Sequence, residues 1–537
     1  MDELKTNVLY YGDNLEILRK YIPDNSIDLI YLDPPFSSKK DYNIIFKEAT
    51  GEQSAAQIKA FSDTWHWDMA AEETYQDIII NAPPKVAKLI DAIVSGLGRN
   101  DVTAYLVMMT IRLVELHRIL KDIGSLYLHC DPTASHYLKM VLDQVFGAKN
   151  FRNEIVWKRF NFHADARRFG RVSDRLMFYT KGDAFTLNRL KSPFSEQYIA
   201  SKFTHIDSQG RRFRLDNLNP PSGRGPVYSF HGVTKAWRFT EENMLALERE
   251  GRLYTDSKIA QLKRFLDELP GQAVHEIWTD IPPINSQAKE RLGYETQKPL
   301  ALLERIILAS SNEYDILLDP FCGCGTALVA AQTLNRKWIG IDITHLAIAV
   351  MKSRLEESFP GIQVEVIGEP QDVGGAKALA RQDRYQFQWW ALSRIKAKPF
   401  PEERRKGADK GIDGVIDFVE RDEAIGKDAM KRAVVSVKSG HVHVKDIREL
   451  KDIASRHAMG IFITLEPPTK EMRTEAVSAG SYHSPLWDRE YPKIQILTIE
   501  ELLQGKIIDM PQPTSPYAKA QKISKKEGQQ MALKGGN

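Results

Sequence analysis

Cysteine is nearly missing from this chain. Three thiols occur in 537 residues, at Cys130, Cys322 and Cys324. Three thiols cannot build a disulfide framework, so a disulfide-stapled secreted scaffold is excluded and a cytoplasmic location is expected. Cys322 and Cys324 form a lone Cys-x-Cys, and no second Cys/His pair stands at zinc spacing. Both are read as small turn residues. Long apolar runs are missing too. None reaches the roughly 18 residues a membrane span needs. The opening MDELKTNVLYYGDN has no apolar signal core, so no membrane partner is expected. No internal repeat is visible. A hydrophobic content of 42% and a charged content of 27% are those of a soluble globular protein. The length calls for two or three domains.

Net charge is only +3 and is unevenly spread. Residues 151–239 hold 17 Lys+Arg against 7 Asp+Glu, a local +10, which leaves the rest of the chain near −7 (3 − 10). A basic block in an otherwise acidic chain reads as an electrostatic footprint for phosphates.

Hydrophobic patterning gives an α/β alternation. Val8–Tyr11 reads as a strand, Gly12-Asp13-Asn14 as a turn, Leu15–Tyr21 as a helix and Ile27–Leu32 as a buried strand. Residues 39–100 are polar and interrupted, and are expected as an insertion over the site. Asp101 is read as the cap of an amphipathic helix carrying Leu106, Met109, Leu113, Leu116 and Leu120, which Gly124 ends. Ser125–His129, Glu154–Trp157 and Leu176–Tyr179 read as strands, with a helix over Ser135–Phe146. After an Arg- and aromatic-rich stretch (158–290) the alternation returns. Its parts are the helix Leu300–Ala309, the strand Ile316–Leu318, the helix Ala327–Leu334, the strand Lys337–Ile341 and the helix Leu346–Phe359. Residues 361–379 read as a linker. A second domain over 380–510 shows strands near 412–418, 432–438, 459–465 and 494–499. The Lys-, Pro- and Gly-containing tail 511–537 is expected to be disordered.

Two turns carry the chemistry. Asp33-Pro34-Pro35-Phe36 ends the run Ile27–Leu32, and Asp319-Pro320-Phe321-Cys322-Gly323-Cys324-Gly325-Thr326 ends the run Ile316–Leu318. A Gly-x-Gly turn by itself is only a tight turn. This one has a strand before it, a helix after it, and an acid, Asp342, ending the next strand, which is the context of a nucleoside-binding turn. Gly323 and Gly325 would allow close approach, Asp319 could accept from an ammonium group, and Asp342 from ribose hydroxyls. In the first turn, Asp33 and the Pro34 carbonyl can each accept one proton of an exocyclic amine, the prolines stiffen the turn, and Phe36 can stack on a base taken out of the helix.

At these residues the chain resembles the DNA amino-methyltransferases over roughly 1–360. The resemblance rests on Asp33-Pro34-Pro35-Phe36, Asp319-Pro320-Phe321-x-Gly323-x-Gly325-Thr326, Thr296-Gln297-Lys298-Pro299 and Gly340-Ile341-Asp342. With the catalytic turn first and the cofactor turn last, it resembles the β class. The resemblance implies a Rossmann-like methyltransferase sheet in two parts, 1–157 (catalytic half) and 291–360 (cofactor half). Between them, 158–290 would be an inserted target-recognition region for double-stranded DNA. It implies S-adenosylmethionine (AdoMet) as cofactor, with contacts at Asp13, Asn14, Lys298, Asp319, Phe321, Gly323, Gly325, Thr326 and Asp342. Catalysis would fall to Asp33, Pro34, Pro35 and Phe36. A Pro-Cys nucleophile for ring-carbon methylation is absent. An Asp-Pro-Pro turn resembles adenine-N6 more than cytosine-N4 enzymes, and cytosine-N4 is the alternative. The arginines of 158–239, among them Arg159, Arg167, Arg168, Arg171, Arg175, Arg211, Arg212, Arg214, Arg224 and Arg238, are expected to face DNA as a block.

In the second domain, Asp413 precedes a strand and Ser436-Val437-Lys438 ends the next. An acid on one strand and acid-x-Lys on the next can hold magnesium and activate water. The arrangement resembles the Mrr-type restriction endonuclease domain, a smaller α/β PD-(D/E)xK-like fold. Asp413 matches as metal ligand and Lys438 as the lysine, but Ser436 stands where an acid or Gln is expected, which puts cleavage and Mg2+ in doubt. A restriction–modification or defence setting follows from the pairing of the two domains. A homodimer or a partner subunit stays open.

Overall fold

In the computed structural model the described residues are 4–35, 66–131, 134–160, 169–221, 223–255, 257, 259–285, 288, 290–292, 297–400, 411–422 and 427–514. The central feature is a nine-stranded sheet. Its strands in chain order are β1 (Val8–Tyr11), β2 (Ile27–Leu32), β3 (Leu120–Cys130), β4 (Phe151–Lys158), β5 (Ser173–Thr180), β6 (Ile277–Trp278), β7 (Ile316–Asp319), β8 (Lys337–Asp342) and β9 (Glu365–Ile367). Their spatial order is β6-β4-β5-β3-β2-β7-β8-β1-β9. Neighbours pair in parallel, except that β5 is antiparallel to both β3 and β4. All six residues of β2 are buried, as expected of a parallel strand covered on both faces. The main core gathers Leu18, Ile30, Leu113, Leu126, Leu318 and Ile341 from the sheet and its flanking helices.

Several expected boundaries move for identifiable reasons. The long helix is Asp101–Ile119, and Asn100, not Asp101, caps it, accepting from the amides of Val102 and Thr103 while Thr103 Oγ1 accepts from the Asn100 amide. Gly124 does not end that helix. The strand starts at Leu120, and the pairing with β2 jumps from Ile27–Leu120 to Leu29–Ser125, so Lys121–Gly124 form a bulge in β3. The described part of the 39–100 insertion is a helical hairpin, Met69–Asn81 and Pro84–Leu97. Its Tyr75, Ile78, Ile90 and Val94 join the main core, and both helices pack on the helix Asp101–Ile119. Residues 361–379 do not form a plain linker: β9 adds to the sheet beside β1, and a helix spans Val373–Gln382.

Residues 188–275 form a separate compact unit, so the irregular region is shorter than 158–290. It contains a four-stranded antiparallel sheet in the order Leu253–Tyr254, Gln261–Phe265, Arg212–Asp216, His205–Ile206. Its own core is built on Leu218, Phe230, Trp237, Met244 and Leu262.

The C-terminal domain has β10 (Gly414–Asp422), β11 (Lys427–Lys438), β12 (Met459–Thr464) and β13 (Ile494–Thr498) in sequence order across its sheet. β10 and β11 pair antiparallel, and β11, β12 and β13 are parallel. Helix Arg384–Arg394 buries Phe387 and Trp390 against Phe418, Val435 and Ile461. The tail beyond 514 lies outside the described residues. No helix among the described residues is long and apolar enough to cross a membrane.

Candidate active site

The chain leaves β2 for β3 on one side and β7 for β8 on the other, so strand order reverses between the neighbours β2 and β7. In an open parallel sheet the crevice beyond the carboxyl ends at such a reversal is where ligands bind. The two turns singled out in the sequence end these two strands: Asp33 follows β2, and Asp319 closes β7. Asp342 closes the next strand, β8, and Tyr11-Gly12-Asp13 leaves the one after it, β1. Four carboxylates therefore stand at the same end of four adjacent parallel strands.

Asp319 is 3% exposed. Its Oδ1 accepts from the Phe321 amide at 3.0 Å, the one side-chain hydrogen bond to it among the described residues. Burial pushes this carboxyl up to about 8, with the charges of Asp33 and Asp342 adding to the effect. Asp342 Oδ2 accepts from the Gly323 amide at 3.0 Å, and Oδ1 from the Thr344 amide and hydroxyl at 2.9 Å each. Burial lifts Asp342 to about 6 against the pull of those bonds. Gly325 has φ +72, and a Cβ there would lie 2.7 Å from Met351 Cγ. Its glycine is thus demanded by the left-handed backbone and by helix packing. Thr326 Oγ1 accepts from Arg354 Nη1 at 3.0 Å, and Phe321 packs on the main core. A buried carboxylate able to accept further donors, beside a second acid on the next strand, fits an ammonium and a pair of ribose hydroxyls.

Asp13 and Asn14 stand next to this turn, but their side chains are engaged within the protein. Asp13 caps the helix Asn14–Tyr21 through the Leu15 amide at 2.7 Å and accepts from Arg112 Nη2 at 2.7 and 3.1 Å. Asn14 Oδ1 accepts from Arg112 Nε at 2.5 Å, and its Nδ2 donates to the Pro320 carbonyl at 2.8 Å. Asn14 thus ties β1's exit to the turn after β7. A helix start needs a cap and a buried guanidinium needs a carboxylate. Those demands occupy residues the sequence assigned to direct cofactor contact. Arg112 was not anticipated; the signal was an arginine amid Met109, Leu113 and Leu116 on the apolar helix.

On the other side, Lys298 pairs through Nζ with Asp33 Oδ2, and its side chain is 7% exposed. The sequence reading set Lys298 with the cofactor residues; its ammonium meets the catalytic turn instead. Pro34 is buried and Pro35 partly so, while Phe36 and Thr296 lie outside the described residues. Behind the turn runs a buried chain of polar contacts. Tyr31 hydroxyl lies 3.0 Å from His129 Nδ1, His129 Nε2 is 3.1 Å from Asp174 Oδ2, and Arg159 Nη1 is 3.5 Å from the same oxygen. Burial opposes ionisation of Asp174, but the His129 contact and the charges of Arg159 and Lys298 hold it down at about 2. Sequence reasoning missed His129 and Asp174, although both are polar residues inside buried strand stretches.

The basic block is less free than its composition implied. Residues 188–275 contain 14 Lys+Arg and 10 Asp+Glu. Within that unit Arg211 pairs with Asp207 at 3.0 Å, Arg214 and Arg264 with Asp216 at 3.2 and 3.4 Å, and Arg252 with Glu268. Arg159 and Arg175 are held by Asp174 and Glu154 in the main sheet. Acids from 241–268 fold into the same unit, which a window ending at 239 leaves out. Arg212 is exposed on its strand. Arg167 and Arg168 lie outside the described residues.

In the C-terminal domain Asp413 is 8% exposed, and its Oδ2 accepts from the Val437 amide at 2.6 Å. Ser436 is 5% exposed on β11. Lys438 lies 4.0 Å from Asp446. Asp417, one candidate for the missing acid, is engaged by Arg432 at 2.7 Å, and Asp409 lies outside the described residues. No group of three or more His, Cys, Asp or Glu able to hold a metal occurs among the described residues.

Comparison with known proteins agrees with this division. Residues 386–504 match a family described as NACHT-associated inactive Restriction Endonuclease 1. The type II methyltransferase M.EcaI of Enterobacter cloacae is 28% identical over 367 residues, covering 65% of this chain and 69% of that protein. The DNA adenine methyltransferase YhdJ of Escherichia coli is 25% identical over 358 residues, covering 66% of this chain and 84% of that protein. The structure of TTHA0409 from Thermus thermophilus, a DNA modification methylase complexed with S-adenosyl-L-methionine, aligns with a TM-score of 0.33 at 16% identity. It covers 67% of this chain and 97% of that one. Residues 27–353, more than half the chain, match the DNA methylase family N6_N4_Mtase, and the chain belongs to that family of DNA methyltransferases.

Proposed function

We propose that this protein moves the methyl group of AdoMet to the N6 amine of adenine in double-stranded DNA. The observation that carries the reading is the pair of turns, Asp33-Pro34-Pro35 and Asp319–Thr326, at the carboxyl ends of β2 and β7, where strand order reverses. When bound there, AdoMet supplies an electrophilic methyl group. Asp319 would hold its ammonium and Asp342 its ribose, with Gly323 and Gly325 shaping the turn between them. Asp33 Oδ and the Pro34 carbonyl would accept the two amino protons, turning the nitrogen lone pair out of the ring plane and toward the methyl. Lys298, paired with Asp33, fixes that carboxylate. No covalent intermediate on the enzyme is required, and positioning contributes most of the rate. Adenine is preferred over cytosine because an aspartate opens the Pro-Pro turn. Digestion of treated, previously unmethylated DNA to nucleosides tests this by mass spectrometry. N6-methyladenine is expected. N4-methylcytosine would keep the mechanism and change the base, and the absence of both products would overturn the reading.

The C-terminal domain is proposed to grip DNA in a restriction–modification setting without cutting it. Ser436 stands in place of an acid, one Asp413 oxygen accepts a backbone amide, and Lys438 is near Asp446. Supercoiled DNA with Mg2+ should stay intact. Cutting that disappears in Lys438→Ala would refute the proposal.

A further inference from the structure

The C-terminal domain reaches the cofactor side of the sheet through one buried junction. β9 pairs with β1, and Gly368, just beyond it, meets the β1 exit so closely that a Cβ would lie 2.3 Å from the Tyr11 carbonyl. Tyr11 stacks on the ring of His345, with centroids 3.6 Å apart and planes inclined by 22°. His345 is fully buried and opens the helix His345–Ser358, directly after the turn that Asp342 closes. Glu369 Oε1 lies 3.5 Å from His345 Nδ1, a charge contact too long to be a good hydrogen bond. Neither ring nitrogen has a formed hydrogen bond among the described residues.

The backbone is served from both sides. Thr344 Oγ1 donates to Asp342 Oδ1 at 2.9 Å and accepts from the Ala347 amide at 3.1 Å. The His345 amide, one of the donors a helix start leaves without an intrahelical partner, donates to Gln386 Oε1 at 3.0 Å. Gln386 is 7% exposed and lies on the helix Arg384–Arg394, whose other residues build the C-terminal core. One end of the Asp342–His345 turn therefore faces the ribose position, while the other is pinned by the second domain.

We propose that Gln386 is a positioning residue for the cofactor. By accepting from the His345 amide it holds the Asp342–Thr344 turn, so the C-terminal domain and the AdoMet site are energetically coupled. The inference rests on the assignment of Asp342 to AdoMet made above. Coupling is reciprocal: if the domain tightens cofactor binding, the cofactor must tighten the domain. Nothing in the sequence hints at this, because a glutamine on an amphipathic helix reads as surface.

The test uses the full chain and AdoMet itself. Titration calorimetry on Gln386→Leu, which keeps the volume and loses the acceptor, should show AdoMet binding weakened on the order of five- to twentyfold, with DNA affinity in the absence of AdoMet unchanged. A measurement on the unaltered chain guards against a folding defect: AdoMet should slow amide exchange in 384–394 as well as in 342–345. Binding by Gln386→Leu within about twofold of the parent, or protection confined to 342–345, overturns the coupling. A parent chain that binds no AdoMet at all overturns the proposed function, and the coupling with it.

Discussion

The most exposed consequence of the site is a proton. Asp319 sits at about 8 because burial disfavours its charge, whereas a carboxyl in water titrates near 3.9. Its proposed task is to face an ammonium, which needs the carboxylate. At pH 7 about nine in ten free molecules carry the proton, so binding should release about 0.9 proton per AdoMet. The apparent Kd should fall about tenfold from pH 6 to 7 and about fivefold more from 7 to 8. The sign for stability is opposite. Between pH 4 and 8 the folded protein binds more protons at this site than the unfolded chain, so without cofactor stability falls as pH rises through that window. Asp319→Asn, which imitates the protonated group, should bind weakly with little pH dependence between 6 and 8. It should also melt higher than the parent at pH 8 when AdoMet is absent. Calorimetry in two buffers of different ionisation heat counts the released protons directly. A flat Kd with no buffer-dependent heat at pH 7 would refute the role given to Asp319.

Other substitutions separate the parts of the site. Asp33→Ala should bind AdoMet normally and lose roughly 100- to 1,000-fold in methyl transfer to DNA; a rate near the parent's would remove Asp33 from the mechanism. Asp342→Ala should raise the AdoMet Kd by about 10- to 100-fold, read by calorimetry, and an unchanged Kd would end its ribose role. Arg112→Met should cost about 2 kcal/mol of stability, because Asp13 is left partly buried without its partner. It should also weaken AdoMet binding, since Asn14 loses the contact that holds it on the Pro320 carbonyl; thermal melting and calorimetry read the two effects.

What the sequence revealed and what it hid divide along a physical line. β2 was legible because a strand buried on both faces must be apolar throughout, and Ile27–Leu32 is interrupted only by Asp28, whose carboxylate meets Lys121 at 2.8 Å. The turns after β2 and β7 were legible because Pro-Pro and Gly-x-Gly constrain the backbone locally. Their meeting at one crevice was not local: it depends on strand pairing across nearly 290 residues, registered as Leu317 beside Leu29. The same limit explains the misplaced partners. Lys298 reads as a loop cation until folding sets it on Asp33, and the arginines of 211–264 read as free until Asp207, Asp216 and Glu268 arrive from both sides. It also explains why 361–379 passed for a linker. Three residues of strand carry too little pattern to recognise, yet β9 brings Glu369 to His345, and the helix beyond it delivers Gln386. A truncation before residue 380, designed from sequence as the removal of an independent module, would thus take away the acceptor for the His345 amide. Weakened cofactor binding in such a fragment would report on that junction before it reported on any loss of grip on DNA.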